Sequence, residues 1–257
     1  MNVFITGASS GIGAALAAAY ARDGAVNLGL FARRADVLAG VVASLPAAAR
    51  IATYVGDVRD PSALNSAAAQ FMSRFGVADT VFANAGISQG ADTAIAEDLA
   101  VFRRVLETNV LGMVHTFHPF IAGMRAAGHG RLVGIASMAG VRGLPGGGAY
   151  SASKAAAINY LESLRVEMRG SGVRVVTIVP GYIATPMTDG NPYRMPFRMN
   201  ADAAAKLIVK AVAQGRSWYV LPWQMALAAR ALRHLPRPVF DALFAHAPRK
   251  PRSSHGS

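Results

Sequence analysis

Apolar stretches of strand length recur along the chain and alternate with segments of helical length. Seven of these stretches are predicted to be strands, namely Val3–Thr6, Val26–Ala32, Ile51–Val55, Thr80–Ala83, Arg131–Ser137, Val173–Val179 and Trp218–Leu221. Most are apolar at consecutive positions rather than at alternate ones, which is typical of parallel strands covered by helices on both faces. The pattern therefore predicts a parallel sheet with no solvated face.

The segments between these strands are rich in Ala, Leu and Arg, residues that favour helices. The predicted helices are Ile12–Arg22, Ala35–Leu45, Ser62–Phe75, Asp98–Ala127, Tyr150–Arg169 and Ala201–Gln214. Because each parallel crossover is right-handed and long enough to hold a helix, the alternation predicts an α/β chain. We expect a three-layer, doubly wound Rossmann fold with a seven-stranded parallel sheet.

The composition favours an ordered protein without thiol chemistry. The 257 residues are 53% hydrophobic and include no cysteine, which excludes disulfides and thiolate metal sites. No other metal-ligating residues accompany His115, His118 and His129 in the sequence, so no metal is expected. The apolar stretch Asn2–Thr6 leaves no room for a signal peptide, and no apolar run is long enough to span a bilayer. We expect a cytoplasmic protein.

The positive charge is concentrated at the end of the chain. The formal net charge is +12, and Arg194–Ser257 holds 11 lysine and arginine residues against 2 acidic residues, a net of +9. Such a segment could meet phosphates or an anionic membrane. It has no interleaved aromatic pattern and no zinc-finger or helix-turn-helix signature, so binding to nucleic acid is not expected.

The first predicted strand ends in a glycine-rich turn, Thr6-Gly7-Ala8-Ser9-Ser10-Gly11-Ile12-Gly13, within which a helix begins. Glycine allows positive φ and lets backbone amides approach a pyrophosphate at the positive end of the helix dipole. A tight turn without a ligand is the alternative. Three glycines at spacings of four and two, directly after the first strand, favour cofactor binding.

This turn resembles the cofactor fingerprint of the short-chain dehydrogenase/reductase family, and further family motifs follow in their usual order. Asp57-Val58 resembles the adenine-contacting pair, and Asn84-Ala85-Gly86 resembles the motif that supports the central sheet. The matches continue to Thr185. The resemblance implies a nicotinamide dinucleotide held by Gly7, Ser9, Ser10, Gly11, Ile12, Gly13, Arg33, Arg34, Asp57, Val58, Asn84, Ala85, Gly86, Tyr150, Lys154, Pro180, Gly181, Ile183 and Thr185.

Four polar residues match the catalytic positions of that family. Tyr150 and Lys154 are four residues apart on a predicted helix, so both side chains project from one face. A tyrosine hydroxyl titrates near 10, so a general base needs a cationic neighbour such as Lys154 to lower its pKa. The resemblance implies that Lys154 also binds the nicotinamide ribose, that Ser137 holds the substrate oxygen and that Asn109 anchors a water. Each residue alone could be structural.

The end of the second strand bears on the choice of cofactor. Ala32 stands where an NAD-selective protein usually places an acidic residue to bind the ribose hydroxyls. Arg33 or Arg34 could bind the 2′-phosphate of NADP with charge-assisted hydrogen bonds. We therefore expect NADP(H) to be preferred, with NAD possible. The alternative is that the two arginines merely solvate a loop.

The predicted substrate pocket is apolar, which favours a lipophilic or aromatic carbonyl compound or alcohol. Leu144–Gly148 is predicted to be a mobile active-site loop, and Ala184–Asn200 is predicted to be an irregular lid. The pocket would be lined by Met138, Val141, Leu144, Tyr182, Met187, Met195 and Phe197.

We expect one domain, in which residues 1–222 bind the dinucleotide and carry out catalysis and residues 223–257 add amphipathic helices and a basic tail. The two pieces Trp223–His234 and Val239–Phe244 either pack over the substrate loops or the subunit interface, which we favour, or lie on a membrane. In the first case the tail Arg249–Arg252 would be disordered. The resemblance implies a homodimer or homotetramer built on the helices Asp98–Ala127 and Tyr150–Arg169.

The sequence thus predicts an oxidoreductase that interconverts a carbonyl and an alcohol by hydride transfer. An alternative from another class is an NADP-binding redox sensor or scaffold whose basic C-terminus contacts nucleic acid or membrane. The presence of Asn109, Ser137, Tyr150 and Lys154 together argues against that alternative.

Overall fold

A computed structural model describes residues 1–22, 24, 26–47, 49–191 and 193–252, so the last five residues of the predicted basic tail lie outside it. The main sheet has the strand order β3-β2-β1-β4-β5-β6-β9, with every neighbouring pair parallel. The strands are β1 (Asn2–Thr6), β2 (Asn27–Ala32), β3 (Arg50–Val55), β4 (Thr80–Ala83), β5 (Gly130–Ile135), β6 (Val173–Pro180), β7 (Ile183–Ala184), β8 (Met199–Asn200) and β9 (Trp218–Leu221).

This topology confirms the predicted doubly wound, seven-stranded parallel sheet. The chain order reverses between β1 and β4, which lie side by side at the centre of the sheet. Crossovers run to opposite faces on either side of that point, so a crevice opens at the carboxyl ends of the strands. The fold therefore places any ligand site where β1, β4 and β5 end.

Helices cover both faces of the sheet. They are α1 (Gly11–Arg22), α2 (Ala35–Ala43), α3 (Pro61–Phe75), α4 (Asp98–Leu106), α5 (Gly112–Ala127), α6 (Gly148–Glu167), α7 (Pro186–Asp189), α8 (Ala201–Ala213), α9 (Trp223–His234) and α10 (Arg237–Phe244). The single helix predicted over Asp98–Ala127 is wrong, because a π-helical turn at Glu107–Leu111 separates α4 from α5.

Successive residues of the central strand pack into different cores. Val3 and Ile5 of β1 belong to a cluster with residues of α1, α2 and α8. Phe4, between them, packs with α3, α5 and α6, and its ring centroid lies 4.9 Å from that of Phe120 and 5.4 Å from that of Phe71. Because successive strand side chains point to opposite faces, burial of both faces explains the unbroken apolar sequence of this strand.

The segment predicted as an irregular lid is partly regular. Residues Ile183–Ala184 and Met199–Asn200 pair as a short parallel ribbon, and the helix α7 begins directly after Thr185. The Thr188 hydroxyl donates to the Ile183 carbonyl at 2.6 Å and accepts from the Thr185 amide at 3.2 Å. These local bonds fold the start of the segment against the end of β6.

The two C-terminal helices pack on the loop that connects β5 to α6. The Arg142 guanidinium, from that loop, donates to the carbonyls of Leu232 and Leu235 at 3.0 and 2.9 Å. The same guanidinium lies 4.1 Å from the centroid of the Phe240 ring, a cation–π contact. One arginine therefore joins both helices to the loop between β5 and α6.

The tail at Arg249–Arg252 is ordered, contrary to the expectation of disorder. Lys250 Nζ donates to Ser88 Oγ at 2.7 Å, and Arg252 donates to the buried carboxylate of Asp98 at 2.7 and 3.2 Å. Arg252 also forms a parallel bridge with Gly90. The tail thus crosses from the α10 side of the molecule to the loop after β4. Within the part of the chain that the structure describes, no helix is both long and apolar enough to cross a membrane.

Candidate active site

The glycine-rich turn is packed too closely to accept side chains. Gly7 has φ of +67° and Gly11 has φ of +55°, values that favour glycine. A Cβ atom on Gly7 would lie 2.8 Å from Ala85 Cα, and one on Gly13 would lie 2.2 Å from the Gly7 carbonyl oxygen. The turn therefore rests directly on the backbone that follows β4, and α1 starts close to the sheet.

Asn84 joins the two central strands where the chain order reverses. Its Nδ2 atom donates to the carbonyls of Thr6 and Gly7 at 3.0 and 3.2 Å. The Thr6 hydroxyl donates to the Phe82 carbonyl at 3.1 Å and accepts from the Asn84 amide at 3.2 Å. These bonds fix the spacing of the strand ends on either side of the crevice.

A cleft of about 270 Å³ occupies this crevice. Of the residues predicted to bind the cofactor, Gly13 lies behind the turn rather than in the lining. The others line the cleft, namely Gly7, Ser9, Ser10, Gly11, Ile12, Arg33, Arg34, Asp57, Val58, Asn84, Ala85, Gly86, Tyr150, Lys154, Pro180, Gly181, Ile183 and Thr185. Sequence reasoning missed Phe31, Gly56, Ile87, Ile135, Ala136, Pro186 and Thr188, although each lies within a few residues of a strand end or motif.

The chemistry of the cleft fits a nicotinamide dinucleotide. The first turn of α1 has amide groups without an intrahelical acceptor, and no acidic side chain lies in that turn. The positive end of the helix dipole therefore faces the cleft beside Gly11 and Ile12, where a pyrophosphate can accept hydrogen bonds. At the other end of the same cleft lie Ser137, Tyr150 and Lys154.

Tyr150 and Ser137 are brought together from two different elements. Tyr150 lies in the first turn of α6, while Ser137 follows β5 and its hydroxyl caps the short turn that begins at Met138. Burial raises the pKa of Tyr150, a hydrogen bond with Ser137 opposes the shift, and the nearby Tyr193 adds to it. Tyr150 is therefore a neutral phenol at neutral pH, suited to donate a proton. The lowering expected from Lys154 stays a prediction.

Lys154 is a buried amine with a weakened hold on its proton. Its side chain is 4% exposed, and Nζ donates to the Ile135 carbonyl at 2.7 Å. Nζ lies 5.8 Å from the centroid of the Tyr150 ring. Burial lowers the pKa of Lys154 to about 8, because a charged amine is poorly solvated there. At neutral pH the group is still mostly charged, and it faces the cleft.

Asn109 lies in the π-helical turn and is fully buried. Its Oδ1 atom accepts from the Ile87 amide at 2.8 Å, and Nδ2 donates to the Ile87 carbonyl at 2.9 Å and to Ser153 Oγ at 2.9 Å. Ser153 in turn donates to the Tyr150 carbonyl at 2.7 Å. The side chain thus braces the Tyr150 helix against the loop after β4. Sequence reasoning missed Ser153, although its position about one helical turn after Tyr150 could have indicated it.

The outer end of the cleft is basic. Arg33 Nη1 lies 3.7 Å from Asp57 Oδ2, and Arg59 donates to the same oxygen at 2.8 and 3.1 Å. Burial alone would raise the pKa of Asp57, but the hydrogen bonds and charge of Arg59 outweigh it, and the pKa is lowered. Asp57 is therefore a fixed anion. Sequence reasoning missed Arg59, which lies two residues beyond the Asp57-Val58 pair.

The predicted substrate residues are divided by the structure. Met187 lines the cleft, but Met138, Leu144 and Tyr182 do not. Met138 and Val141 pack instead with Ala136, Val179, Val220 and Met225, because the short turn at Met138–Gly140 faces the C-terminal part of the sheet.

Two aromatic groups near the cleft come from the segment after β6. The Tyr182 and Tyr193 rings pack edge to face with centroids 6.4 Å apart. Tyr193 also contributes to the raised pKa of Tyr150. Phe197, predicted to line the pocket, is more than half exposed.

Comparison with known proteins gives a consistent family. A family model described as short chain dehydrogenase matches residues 1–194. An oxidoreductase of uncharacterized activity from Myxococcus xanthus (strain DK1622) is 38% identical over 242 residues, which cover 94% of this chain and 95% of that protein.

Solved structures agree with this match. A short chain dehydrogenase/reductase from Burkholderia phymatum in complex with NAD has a TM-score of 0.81 and 26% identity, covering 98% of each chain. L-Sorbose reductase from Gluconobacter frateurii, complexed with NADPH and L-sorbose, has a TM-score of 0.77 and 26% identity, covering 86% of this chain and 94% of that one. Both nicotinamide cofactors thus occur among the structural neighbours.

Proposed function

The chain belongs to the short-chain dehydrogenase family of nicotinamide-dependent oxidoreductases, and we propose that it interconverts a carbonyl and an alcohol by hydride transfer with NADP(H). The observation that carries this proposal is one cleft with a glycine turn at one end and Ser137, Tyr150 and Lys154 at the other. Binding a dinucleotide there would place its nicotinamide beside the phenol.

Tyr150 is proposed to act as the general acid in reduction. The bound cofactor supplies the hydride that reaches the substrate carbonyl carbon. The Tyr150 hydroxyl gives its proton to the carbonyl oxygen, and the raised pKa keeps that proton in place at neutral pH. Ser137, whose hydroxyl interacts with Tyr150, is proposed to donate a hydrogen bond to the same oxygen. In the oxidation direction the proton returns to the phenolate.

Lys154 is proposed to bind the nicotinamide ribose and to favour the phenolate form of Tyr150 electrostatically. Its Nζ atom already donates to Ile135, which leaves two donors for other partners. The ammonium lies 5.8 Å from the centroid of the Tyr150 ring, close enough for its charge to act on the phenol. The Asn109–Ser153 bonds hold the start of α6, and a water for the proton path at Asn109 remains part of this proposal.

A preference for NADP(H) is proposed from the rim of the cleft. Ala32 ends β2 without a carboxylate, and Arg33 and Arg34 follow it in the cleft lining. The guanidinium of Arg33 is more than half exposed and only 3.7 Å from Asp57, so it can turn toward a phosphate at small cost. A 2′-phosphate would then meet two positive side chains.

We propose a lipophilic or aromatic substrate, because Met187 lines the cleft and the paired rings of Tyr182 and Tyr193 lie in the chain segment that follows Pro180, which also lines it. We also propose a homodimer or homotetramer formed through α4, α5 and α6. Leu99, Leu111 and Val166 on or between these helices are about half exposed, which is unfavourable in a monomer.

The experiment that tests the proposed function is a carbonyl screen. Purified protein is mixed with NADPH or NADH and a panel of apolar ketones, aromatic aldehydes and sugars, and oxidation of the cofactor is followed. We expect turnover of at least one apolar carbonyl compound, faster with NADPH. Cofactor binding without turnover of any compound, together with salt-sensitive binding to DNA, would instead favour a sensor or scaffold.

A further inference from the structure

Four large apolar side chains are exposed on the two C-terminal helices. In α9, Trp223 is 69% exposed and Leu227 is 63% exposed. In α10, Val239 is 45% exposed and Leu243 is 66% exposed. Each pair has a spacing of four residues, so it forms one stripe along its helix. We call these four side chains the apolar face.

The apolar face is separate from the hydrophobic core of the protein. Other sides of the same helices are already buried, through Met225 and Ala229 in α9 and through Phe240 in α10. Met225 packs in a cluster with Val179 and Val220. Each helix therefore has one apolar side that stabilises the fold and a second apolar side that does not, which is typical of a binding surface.

The apolar face is held in a fixed position. Arg142 bonds the last carbonyls of α9 and stacks on Phe240 of α10, so both helices are attached to the same side chain. The Phe240 and Phe244 rings stack with centroids 4.4 Å apart on the inner side of α10. The packing of Phe240 and Phe244 therefore fixes the direction in which Val239 and Leu243 point.

The surroundings of the apolar face are basic. Arg230, Arg233 and Arg237 are exposed on or next to these helices. Between Trp223 and His246 the sequence contains one acidic residue, Asp241. Arg230 follows Trp223 by seven residues and Leu227 by three, which places it on the same stripe of α9. Positive charge from Arg230 therefore lies on the exposed apolar stripe of α9, and Arg233 and Arg237 add charge to the same two helices.

We propose that this face docks the protein on an anionic lipid bilayer, with the four apolar side chains in the headgroup boundary and the arginines on lipid phosphates. Indole and leucine side chains favour that boundary, and arginines are attracted to anionic headgroups. A second copy of the chain fits less well, because a twofold interface places the same patch against itself and brings its arginines together. Docking would concentrate the enzyme where apolar substrates dissolve.

The test is sedimentation of the full chain with phosphatidylcholine vesicles that contain or lack about 30% phosphatidylglycerol. Three proteins are compared: the parent, the double variant Trp223→Ser/Leu227→Ser, and the triple variant Arg230→Gln/Arg233→Gln/Arg237→Gln. A matched control, Arg22→Gln/Arg169→Gln/Arg216→Gln, removes three exposed arginines elsewhere. Cofactor binding and oligomeric mass are measured for every variant.

We expect the parent to bind the anionic vesicles about tenfold or more tightly than neutral ones, and high salt to reverse this binding. The apolar and the arginine variants should each lose about tenfold, while the matched control keeps parental binding. No binding of the parent to anionic vesicles overturns the proposal. Equal loss in the control, or a lower oligomeric mass in the Trp223/Leu227 variant without vesicle binding, also overturns it. Reductase activity is measured separately, so either proposal can fail alone.

Discussion

The cofactor cleft and the C-terminal cover, residues 223–252, are held in place in different ways. In the cleft, close-packed glycines and the side-chain amide of Asn84 fix the strand ends around Tyr150 and Lys154. The cover is attached by single side chains, chiefly Arg142, Lys250 and Arg252. The difference implies that changes in the cleft affect chemistry with the fold intact, whereas changes in the cover loosen one segment with the chemistry intact.

The largest expected effect comes from removing one oxygen atom in the cleft. Tyr150→Phe should lower kcat by about 10²–10⁴-fold, because the proton donor is lost and the ring still fills its site. Affinity for NADPH and the melting temperature should stay near parental values. The matched control is Tyr160→Phe, the same change further along α6 and away from the cleft lining.

Parental turnover in Tyr150→Phe would show that another group supplies the proton. Loss of kcat in Tyr160→Phe as well would point to a general weakening of α6 rather than to chemistry.

The cofactor preference gives the next largest effect. Arg33→Ala/Arg34→Ala should weaken NADPH binding by about tenfold to a hundredfold, since one or two charge-assisted hydrogen bonds are removed. Binding of NADH should change little. Isothermal titration with each cofactor measures both values. Arg103→Ala/Arg104→Ala, two exposed arginines on α4, serves as the control. If both cofactors weaken equally, the arginines support the loop and do not select.

We expect the buried charge of Lys154 to lower the stability of the folded protein while it supports activity. Its pKa is lowered from 10.5 to about 8, so the folded state loses this proton before the unfolded state does. Stability from this group therefore rises as the pH increases from about 8 to about 10.5, and at neutral pH the buried charge costs up to about 3 kcal/mol. Lys154→Met should be inactive yet more stable than the parent at pH 7, by about 1–3 kcal/mol after loss of the bond to Ile135.

Urea unfolding at several pH values checks this prediction, with Lys206→Met on the exposed side of α8 as the control. The stability gain of Lys154→Met should shrink as the pH approaches 10. A loss of stability at pH 7, or a gain that does not depend on pH, would contradict the assigned burial cost.

The smallest effect is expected in the cover. Arg252→Ala removes two hydrogen bonds to Asp98, which still accepts from the Asp92 amide. Global stability should fall by less than about 1 kcal/mol, because only a local segment is released. Amide exchange of residues 247–252 should accelerate, and KM should change more than kcat. Two results would show that the tail does not cover the substrate side. One is an unchanged amide exchange rate in residues 247–252 with slower exchange elsewhere, and the other is a fall in kcat with no change in KM.

The same contrast explains what sequence could and could not predict. The strands consist of consecutive apolar residues, so a short stretch of sequence is enough to predict burial on both faces. The glycine turn and the Tyr150-to-Lys154 spacing are local sequence patterns as well. The π-helical turn at Glu107–Leu111 has no local signature, since an extra residue in a turn leaves the helical composition unchanged. The order of the tail depends on Ser88 and Asp98, more than 150 residues away.

The raised pKa of Tyr150 depends on a feature that the sequence does not show. The sequence shows that a cation is four residues away, but not that Lys154 is buried and Tyr150 partly buried, and burial acts on the phenol more strongly than its neighbours do. Met138 was placed in the substrate pocket from its position after Ser137. The direction of the short turn there, which sends Met138 toward Met225, is a tertiary feature.

The central claim is hydride transfer to a carbonyl carbon in this cleft, and isotope transfer tests it most directly. NADPH carrying deuterium at C4 is incubated with the protein and a carbonyl compound that the screen shows to be reduced. The account predicts deuterium on the carbinol carbon of the product alcohol, with transfer from one face of the nicotinamide, and almost none with Tyr150→Phe. Product alcohol without deuterium from either face, or full transfer by the Tyr150→Phe protein, would contradict it.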